Sequence, residues 1–262
     1  MPMNDSLANE STVDLSLVLP AYNESRNLME GLPVALAAFE ATGRAFEVVV
    51  VDDGSSDHTA EVVRALAAED QRIRLVQHAA NAGYGAALRS GFDEARGAWV
   101  MFTDADFQFD LNEVGRLLAH IHAYDIVAGY RYPRRDPWNR RLNAWAWGRL
   151  VNATFDLRIR DVNCAFKMFR REVLEGAQLR SDGAFVNTEL LARARSRGWR
   201  IQQVPVSHYQ RRAGVQTGAH PKVVAKAFVE LAQLYGDLQN ARRGVRQAAA
   251  RTVVHLSAVA AR

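Results

Sequence analysis

The sequence is poor in cysteine and has no long apolar segment. Cys164 is the one cysteine in 262 residues, which excludes an internal disulfide bond and fits a reducing, cytosolic setting. No apolar run approaches the roughly 18 residues that a membrane-spanning helix requires. Residues 1–14 contain neither the basic nor the apolar part of a secretory signal, so we expect no signal peptide.

Internal repeats and low-complexity linkers are absent as well, which predicts one main domain. We expect a flexible N-terminus over residues 1–14 and the main domain over residues 15–214. Apolar residues recur at helical spacing from Val224 onward, so residues 215–262 are predicted to form an amphipathic helical extension.

Charge is modest in total but uneven along the chain. The net charge is +4, and arginines concentrate over residues 131–141, at 211–212 and from 242 to the end. The basic part favours an anionic partner. No nucleic-acid-binding module is recognisable, so we expect no nucleic-acid partner.

Strand and helix patterns alternate through the first half of the chain. This alternation predicts an α/β fold with a mostly parallel sheet that carries helices on both faces. Such sheets bind ligands beyond the carboxyl ends of their strands. The predicted strands cover residues 15–19, 46–51, 73–76, 99–103 and 126–129.

Three polar clusters follow predicted strand ends and would therefore share one rim. After the first strand, Tyr22 could cover a base or ribose and Glu24 could accept a hydrogen bond, although a plain turn and helix start explains both. After the second strand, Asp52 and Asp53 could accept a base N–H or a ribose hydroxyl, or could form an Asx-type turn with Gly54.

The third cluster is Asp104-Ala105-Asp106-Phe107-Gln108, where an apolar strand ends in carboxylates. If the backbone stays extended, Asp104, Asp106 and Gln108 lie on one face. Their oxygens are hard ligands, suited to Mg²⁺ or Mn²⁺ on a diphosphate. An isolated Asp-x-Asp is more often a pair of solvated loop carboxylates, so the neighbouring clusters matter.

Four motifs follow one another along the chain. They are Pro20-Ala21-Tyr22-Asn23-Glu24, Asp52-Asp53-Gly54-Ser55-Ser56-Asp57, Asn81-Ala82-Gly83-Tyr84-Gly85-Ala86 and Asp104-Ala105-Asp106-Phe107-Gln108. Taken together, these motifs resemble the family 2 glycosyltransferases with the GT-A fold. The resemblance covers residues 15–214 and is closest to the polyprenyl-phosphate sugar synthases, the dolichyl-phosphate mannose synthase group.

The resemblance implies a Rossmann-like GT-A catalytic domain with a C-terminal helical extension, and it implies a role for each motif. Asp106 and Gln108 would hold Mg²⁺ or Mn²⁺, and Asp104 with Ala105 would lie near the ribose or sugar. Gly83 would allow close backbone approach. The nucleoside of a nucleotide-sugar would contact Pro20, Tyr22, Glu24, Asp52 and Asp53.

By the same resemblance, the activity is inverting, metal-dependent transfer of a mannose- or glucose-type hexose from a GDP- or UDP-sugar to a polyprenyl phosphate. A lipid phosphate is largely ionised at neutral pH because its second pKa is about 6. It therefore needs cations to hold it rather than a base. Arg211 and Arg212 are the main candidates, with Arg131 and Lys167 in support.

Two alternatives remain open at this stage. A hydroxyl acceptor would need a general base, for which Glu189 and Asp161 are candidates, although Glu189 could equally pair with an arginine. The other alternative is a non-catalytic subunit that binds nucleotide-sugar and recruits a partner to membranes. The chain also departs from the family pattern at Asn187, where an acid is usual, and at Gln203 and Gln216-Thr217.

Membrane attachment is expected to be peripheral, on the cytoplasmic face. Trp145 and Trp147 lie among arginines, which suits a membrane–water interface, but tryptophans also pack in cores. The C-terminal helix could likewise lie on an anionic leaflet, or pack on its own domain or a second subunit. A homo-oligomer or a membrane-anchoring partner is also open.

Overall fold

The fold is that of a computed structural model, which describes residues 13–133, 138–210, 225–241 and 243. The strands are β1 (Leu15–Ala21), β2 (Phe46–Asp52), β3 (Ile73–Gln77), β4 (Trp99–Thr103), β5 (Ile126–Arg131), β6 (Phe166–Arg170) and β7 (Ile201–Val206). The helices are α1 (Ser25–Glu40), α2 (Thr59–Glu69), α3 (Tyr84–Glu94), α4 (Val114–Leu118), α5 (Trp138–Phe155), α6 (Arg171–Glu175) and α7 (Val186–Ser196). Residues 225–241 form a further helix, called the C-terminal helix below.

The described strands form one mixed sheet in the order β3-β2-β1-β4-β6-β5-β7. Strand β6 runs antiparallel to both β4 and β5, while the other pairs are parallel. Because β6 reverses direction between β4 and β5, the carboxyl ends of the parallel strands all meet at one edge of the sheet. This edge, called the rim below, carries the three polar clusters.

Both faces of the sheet are covered. Every residue of β1 and β2 is buried, and successive strand residues point to opposite faces. Helix α1 shows how the covering layer forms, since Leu28, Leu32, Ala35 and Phe39 recur at helical spacing and are all fully buried. The predicted GT-A type of α/β fold is confirmed.

The C-terminal helix packs on the same domain. Leu234 is buried, and the Phe228 ring lies 5.6 Å from the Trp147 ring, centroid to centroid. Asp237 pairs with Arg180 at 3.1 Å. Of the alternatives predicted for this helix, residues 225–241 therefore show packing on their own domain. None of the described helices is long and apolar enough to cross a bilayer.

Candidate active site

The loops after β1 and β2 are joined by hydrogen bonds at the rim. The backbone N–H of Asn23 donates to Ser55 Oγ over 2.9 Å, and Asn23 Oδ1 accepts from the N–H of Ser56 over 2.8 Å. The Tyr22 side chain stays about half exposed beside this junction. Pro20 is buried within β1, and Glu24 accepts a hydrogen bond from the Asn27 amide. This part of the rim is a rigid platform with one exposed ring.

Asp52 and Asp53 are buried and accept hydrogen bonds from the protein itself, and their contact with a nucleoside stays a prediction. Asp52 accepts from the N–H of Ser55 over 3.0 Å and from the Gln77 amide over 3.2 Å. Asp53 accepts from the N–H groups of Ala82 and Gly83 and lies 2.7 Å from His78 Nδ1. Both carboxylates hold the rim in shape.

The loop before α3 packs against the chain at residues 181–182. Gly83 has φ +99°, and a Cβ at Gly83 or Gly85 would collide with the backbone carbonyls of Asp182 or Ser181. The N–H of Gly85 donates to the carbonyl of Asp182 over 2.7 Å. The predicted close backbone approach at Gly83 is thus an approach to the protein's own backbone.

The Asp104–Gln108 segment is a turn, and the predicted extended alternation is wrong. Strand β4 ends at Thr103. The N–H of Phe107 then donates to the Asp104 carbonyl, and Phe107 adopts φ +49°. Ala105 is buried inside the turn, so it can offer a ligand only its backbone. This turn, and not the two-residue period of a strand, sets the positions of Asp104 and Asp106.

Tyr84 connects the start of α3 to the Asp104 carboxylate. Its hydroxyl donates to Asp104 Oδ1 over 2.9 Å and also hydrogen-bonds the Asn187 side chain. Burial, and then the negative charges of Asp104 and Asp106, raise the pKa of Tyr84 well above its ordinary value. The phenol therefore keeps its proton and stays a donor. Tyr84 lies inside one of the four motifs, but no role was predicted for it from the sequence.

Lys167 does not lie on the rim, which corrects its predicted contact with the acceptor phosphate. Its side chain is fully buried, and Nζ donates to the carbonyls of Val162 and Cys164 and to Asn187 Oδ1. Burial lowers the pKa of Lys167 to about 8, and the charge of Asp104 acts in the opposite direction. Lys167 thus supports Asn187 from the interior.

Glu189 is a structural carboxylate. It is buried, accepts from the backbone N–H groups of Arg180 and Ser181, and pairs with Arg193 at 2.8 Å. Burial alone would raise the pKa of Glu189, but these hydrogen bonds outweigh it and bring the pKa below its ordinary value. Glu189 is therefore not poised to take a proton, and it holds the chain at residues 180–182 against the loop of Gly83.

Arg131 forms an ion pair with Asp161, the other candidate base. Its Nε lies 2.7 Å from Asp161 Oδ2 and its Nη2 lies 2.9 Å from Oδ1. This two-point contact matches the geometry of a guanidinium and a carboxylate. Both side chains are largely buried at the end of β5, so each neutralises the other.

Gln108 links the turn to the end of β7. Its Nε2 donates to the Tyr209 carbonyl over 2.8 Å, and the N–H of Tyr209 donates to the Gln108 carbonyl over 2.7 Å. His208 stacks edge-on against Phe109 at 4.9 Å. The described chain thus leaves β7 directly beside the Asp104–Gln108 turn. Arg211 and Arg212, the main acceptor candidates, lie outside the described residues.

The turn fits a divalent cation in its donor chemistry. Asp104 and Asp106 belong to the same turn after β4, and the negative charges of both act on Tyr84. The Nε2 bond of Gln108 leaves the amide oxygen as the remaining acceptor of that side chain. Within the described residues no group of three or more His, Cys, Asp and Glu side chains is placed to hold a metal ion. Two carboxylates and an amide oxygen would leave coordination positions for a diphosphate.

Comparison with known proteins agrees with the four motifs. The profile of "Glycosyl transferase family 2" matches residues 16–176. Glycosyltransferase AglD of Haloferax volcanii is 35% identical over 209 residues, which are 76% of this chain and 34% of that protein. The undecaprenyl-phosphate 4-deoxy-4-formamido-L-arabinose transferase of Edwardsiella ictaluri is 34% identical over 203 residues, which are 76% of this chain and 61% of that protein. The chain thus spans less than two thirds of the length of these relatives.

A solved structure supports the fold independently. Glucosyl-3-phosphoglycerate synthase from Mycobacterium tuberculosis, in complex with Mn²⁺, UDP-glucose and phosphoglyceric acid, has a TM-score of 0.67 at 19% identity. The match covers 86% of this chain and 80% of that one. With its family profile, its motifs and its sheet in agreement, the chain belongs to glycosyl transferase family 2.

Proposed function

We propose that the protein is an inverting glycosyltransferase that moves a mannose- or glucose-type hexose from a GDP- or UDP-sugar to a polyprenyl phosphate. The donor would bind along the rim, with Tyr22 over the nucleoside and the diphosphate at the Asp104–Gln108 turn. The lipid phosphate would approach from the side of residues 207–210. Peripheral attachment on the cytoplasmic face is part of this proposal.

The observation that carries the proposal is the lack of a free base among the candidate residues. A hydroxyl acceptor must lose a proton during attack. Glu189 is paired with Arg193, Asp161 is paired with Arg131, and position 187 holds an amide. A phosphate needs no such base, since its second pKa of about 6 leaves it ionised at neutral pH.

The donor half rests on the turn and on Tyr84. A divalent cation held by Asp104, Asp106 and Gln108 would stabilise charge on the departing nucleoside diphosphate. The hydrogen bond from Tyr84 to Asp104 would keep that carboxylate oriented toward the cation. Arg211 and Arg212 would hold the acceptor phosphate against the repulsion of the donor's own phosphates. Direct attack by the phosphate oxygen inverts the anomeric carbon. The name of the Edwardsiella relative, an undecaprenyl-phosphate sugar transferase, supports the choice of acceptor.

A donor panel tests the proposal. The full chain is incubated with GDP-mannose, UDP-glucose and related donors, a short polyprenyl phosphate, and Mg²⁺, Mn²⁺ or a chelator. We expect a glycolipid of the summed mass with one donor and none with the chelator. Asp106→Asn should abolish both product and cation-dependent nucleotide binding, and Arg211→Ala should abolish product while sparing nucleotide binding.

Two exposed residues away from the rim give matched controls. Asp93→Asn on α3 and Arg96→Ala remove the same charges from exposed positions and should leave turnover unchanged. A product formed only on hydroxyl acceptors would overturn the choice of acceptor. Cation-dependent nucleotide-sugar binding without turnover on any acceptor would instead favour the non-catalytic subunit.

A further inference from the structure

Helix α5 carries an exposed apolar stripe on one face. Trp138, Leu142 and Trp145 follow one another at intervals of four and three residues, which places them on the same side of a helix. Their side chains are 77%, 52% and 62% exposed. Arg149 continues the face four residues later. We call these four residues the α5 stripe.

The opposite side of α5 fixes how the helix is turned. Trp147 packs edge-on against Phe185 at 6.1 Å and against Phe228 of the C-terminal helix at 5.6 Å. Val151 and Phe155 are buried. The two tryptophans that the sequence alone could not distinguish therefore have different roles, since Trp147 packs inward and Trp145 faces outward.

Charge on α5 matches an anionic surface. Its sequence contains three arginines and no aspartate or glutamate. Arg141 is exposed beside the stripe, and the Arg149 guanidinium lies 5.8 Å from the centre of the Trp145 ring. Tryptophan rings beside arginines suit the headgroup region of a bilayer, where the rings meet apolar chains and the cations meet lipid phosphates.

We propose that the α5 stripe lies on an anionic lipid bilayer, with Trp138 and Trp145 in the headgroup region. This inference rests on the proposed function in one respect, because a polyprenyl phosphate acceptor would require the protein to work at a bilayer. Exposed Tyr132 follows β5 at the rim, and the six residues from there to Trp138 span at most about 22 Å. A helix lying on the membrane would thus bring lipid phosphates near the rim.

A second copy of the chain is the competing occupant of this face. Two copies of the stripe packed around a two-fold axis would bring Arg141 and Arg149 of one copy toward the same residues of the other. No acid on α5 is present to offset that repulsion. Charge therefore favours lipid over self-association.

Vesicle co-sedimentation with the full chain tests the inference. The probes are phosphatidylcholine vesicles with and without phosphatidylserine. We expect binding to the mixed vesicles, weakened on the order of tenfold or more by Trp138→Ala with Trp145→Ala. Arg141→Gln and Arg149→Gln should each reduce binding about fivefold, and only where phosphatidylserine is present.

The matched control is Met29→Ala with Val34→Ala, which removes exposed apolar side chains from α1 and should leave vesicle binding unchanged. Circular dichroism establishes that each variant is folded. Unchanged binding of the folded tryptophan variant overturns the inference. So does a wild-type dimer that the same substitutions convert to a monomer, as measured by light scattering.

Turnover of a short, water-soluble polyprenyl phosphate separates this inference from the proposed function. Without vesicles, the tryptophan variant should retain wild-type turnover. If the wild type turns over the short polyprenyl phosphate but does not bind vesicles, the inference fails and the proposed function stands. Vesicle binding through the stripe without turnover on any polyprenyl phosphate would support the inference and count against the function.

Discussion

The hydroxyl of Tyr84 donates a hydrogen bond to Asp104 across 2.9 Å, from the first residue of α3 to the turn after β4. Asn187 on α7 reaches the same hydroxyl, and Lys167 on β6 donates to Asn187. The Asp104 carboxylate is thus oriented by a chain of polar groups that runs from the partly buried Tyr84 to the buried Asn187 and Lys167. Donor binding depends on this chain in our account.

Removing the Tyr84 hydroxyl should weaken donor binding through the cation. A hydrogen bond to a charged group contributes roughly 1.5–3 kcal/mol, so Tyr84→Phe should reduce cation-dependent nucleotide affinity about 10- to 100-fold. Calorimetry with and without Mn²⁺ measures the effect. Tyr235→Phe, on a half-exposed ring of the C-terminal helix, is the control and should bind normally. Equal loss with and without the cation would contradict the assignment.

Glu189→Gln should destabilise the protein without changing the pH dependence of the reaction. The folded state lowers the pKa of Glu189 below its ordinary 4.5, so the carboxylate adds stability above that pH and loses it as pH falls through the folded value. We expect a cost of about 3 kcal/mol at pH 7 from the broken buried pair. The difference in free energy of unfolding between Glu189→Gln and the wild type should therefore shrink at acid pH.

Denaturant unfolding at several pH values measures this difference. Glu175→Gln changes an exposed glutamate on α6 and should be nearly neutral throughout. If Glu189→Gln instead removes one limb of the pH–rate profile, Glu189 acts as a base and the assignment as a structural carboxylate is wrong.

Gly83→Ala should disrupt the loop that Asp53 holds. The backbone at Gly83 has φ +99° and ψ 158°, a region open almost only to glycine, and the added methyl would meet the Asp182 carbonyl. We expect a loss of at least about 2 kcal/mol in the free energy of unfolding, together with weaker nucleotide binding. Gly115→Ala in α4 has open space around it and should be neutral or slightly stabilising. Wild-type stability of Gly83→Ala would show that the loop is free to rearrange.

Leu234→Ala should show how much the packing of the C-terminal helix contributes to the stability of the domain. Leu234 is 3% exposed, and removing a buried leucine side chain costs about 2–5 kcal/mol. Val229→Ala, on the same helix but 57% exposed, should change stability by less than about 0.5 kcal/mol. Thermal unfolding distinguishes the two. Equal, small effects would mean that the helix does not contribute to the folded domain.

Strands β1 to β5 could be predicted from sequence because each is an apolar run that stops at polar residues. Strand β6 was not predicted, since Lys167 interrupts Phe166 and Met168 and a lysine indicates solvent. The oxygens that satisfy Lys167 come from Val162, Cys164 and Asn187, which only the folded chain brings together. Helix α5 was also missed, because tryptophans on both of its faces hide a one-sided apolar pattern.

The position of the site could be predicted, but its internal bonding could not. Strand ends place the clusters at one rim by topology alone. Whether a rim carboxylate is free depends on donors far along the chain. Asp53 takes the N–H groups of the Gly83 loop and Glu189 takes those of residues 180–181, and no local pattern indicates either pairing. The turn at Asp104–Gln108 likewise depends on the positive φ of Phe107, which no local sequence pattern predicts.

The most direct test of the central claim compares two acceptors that differ only in the phosphate. The full chain, its preferred nucleotide-sugar and a divalent cation are incubated with a polyprenyl phosphate or with the matching polyprenol, and the products are analysed by mass and by anomeric configuration. The account predicts a glycosylated polyprenyl phosphate with the inverted anomer and no product from the polyprenol. Glycosylation of the polyprenol, or a phosphate-linked product with the anomer retained, would contradict it.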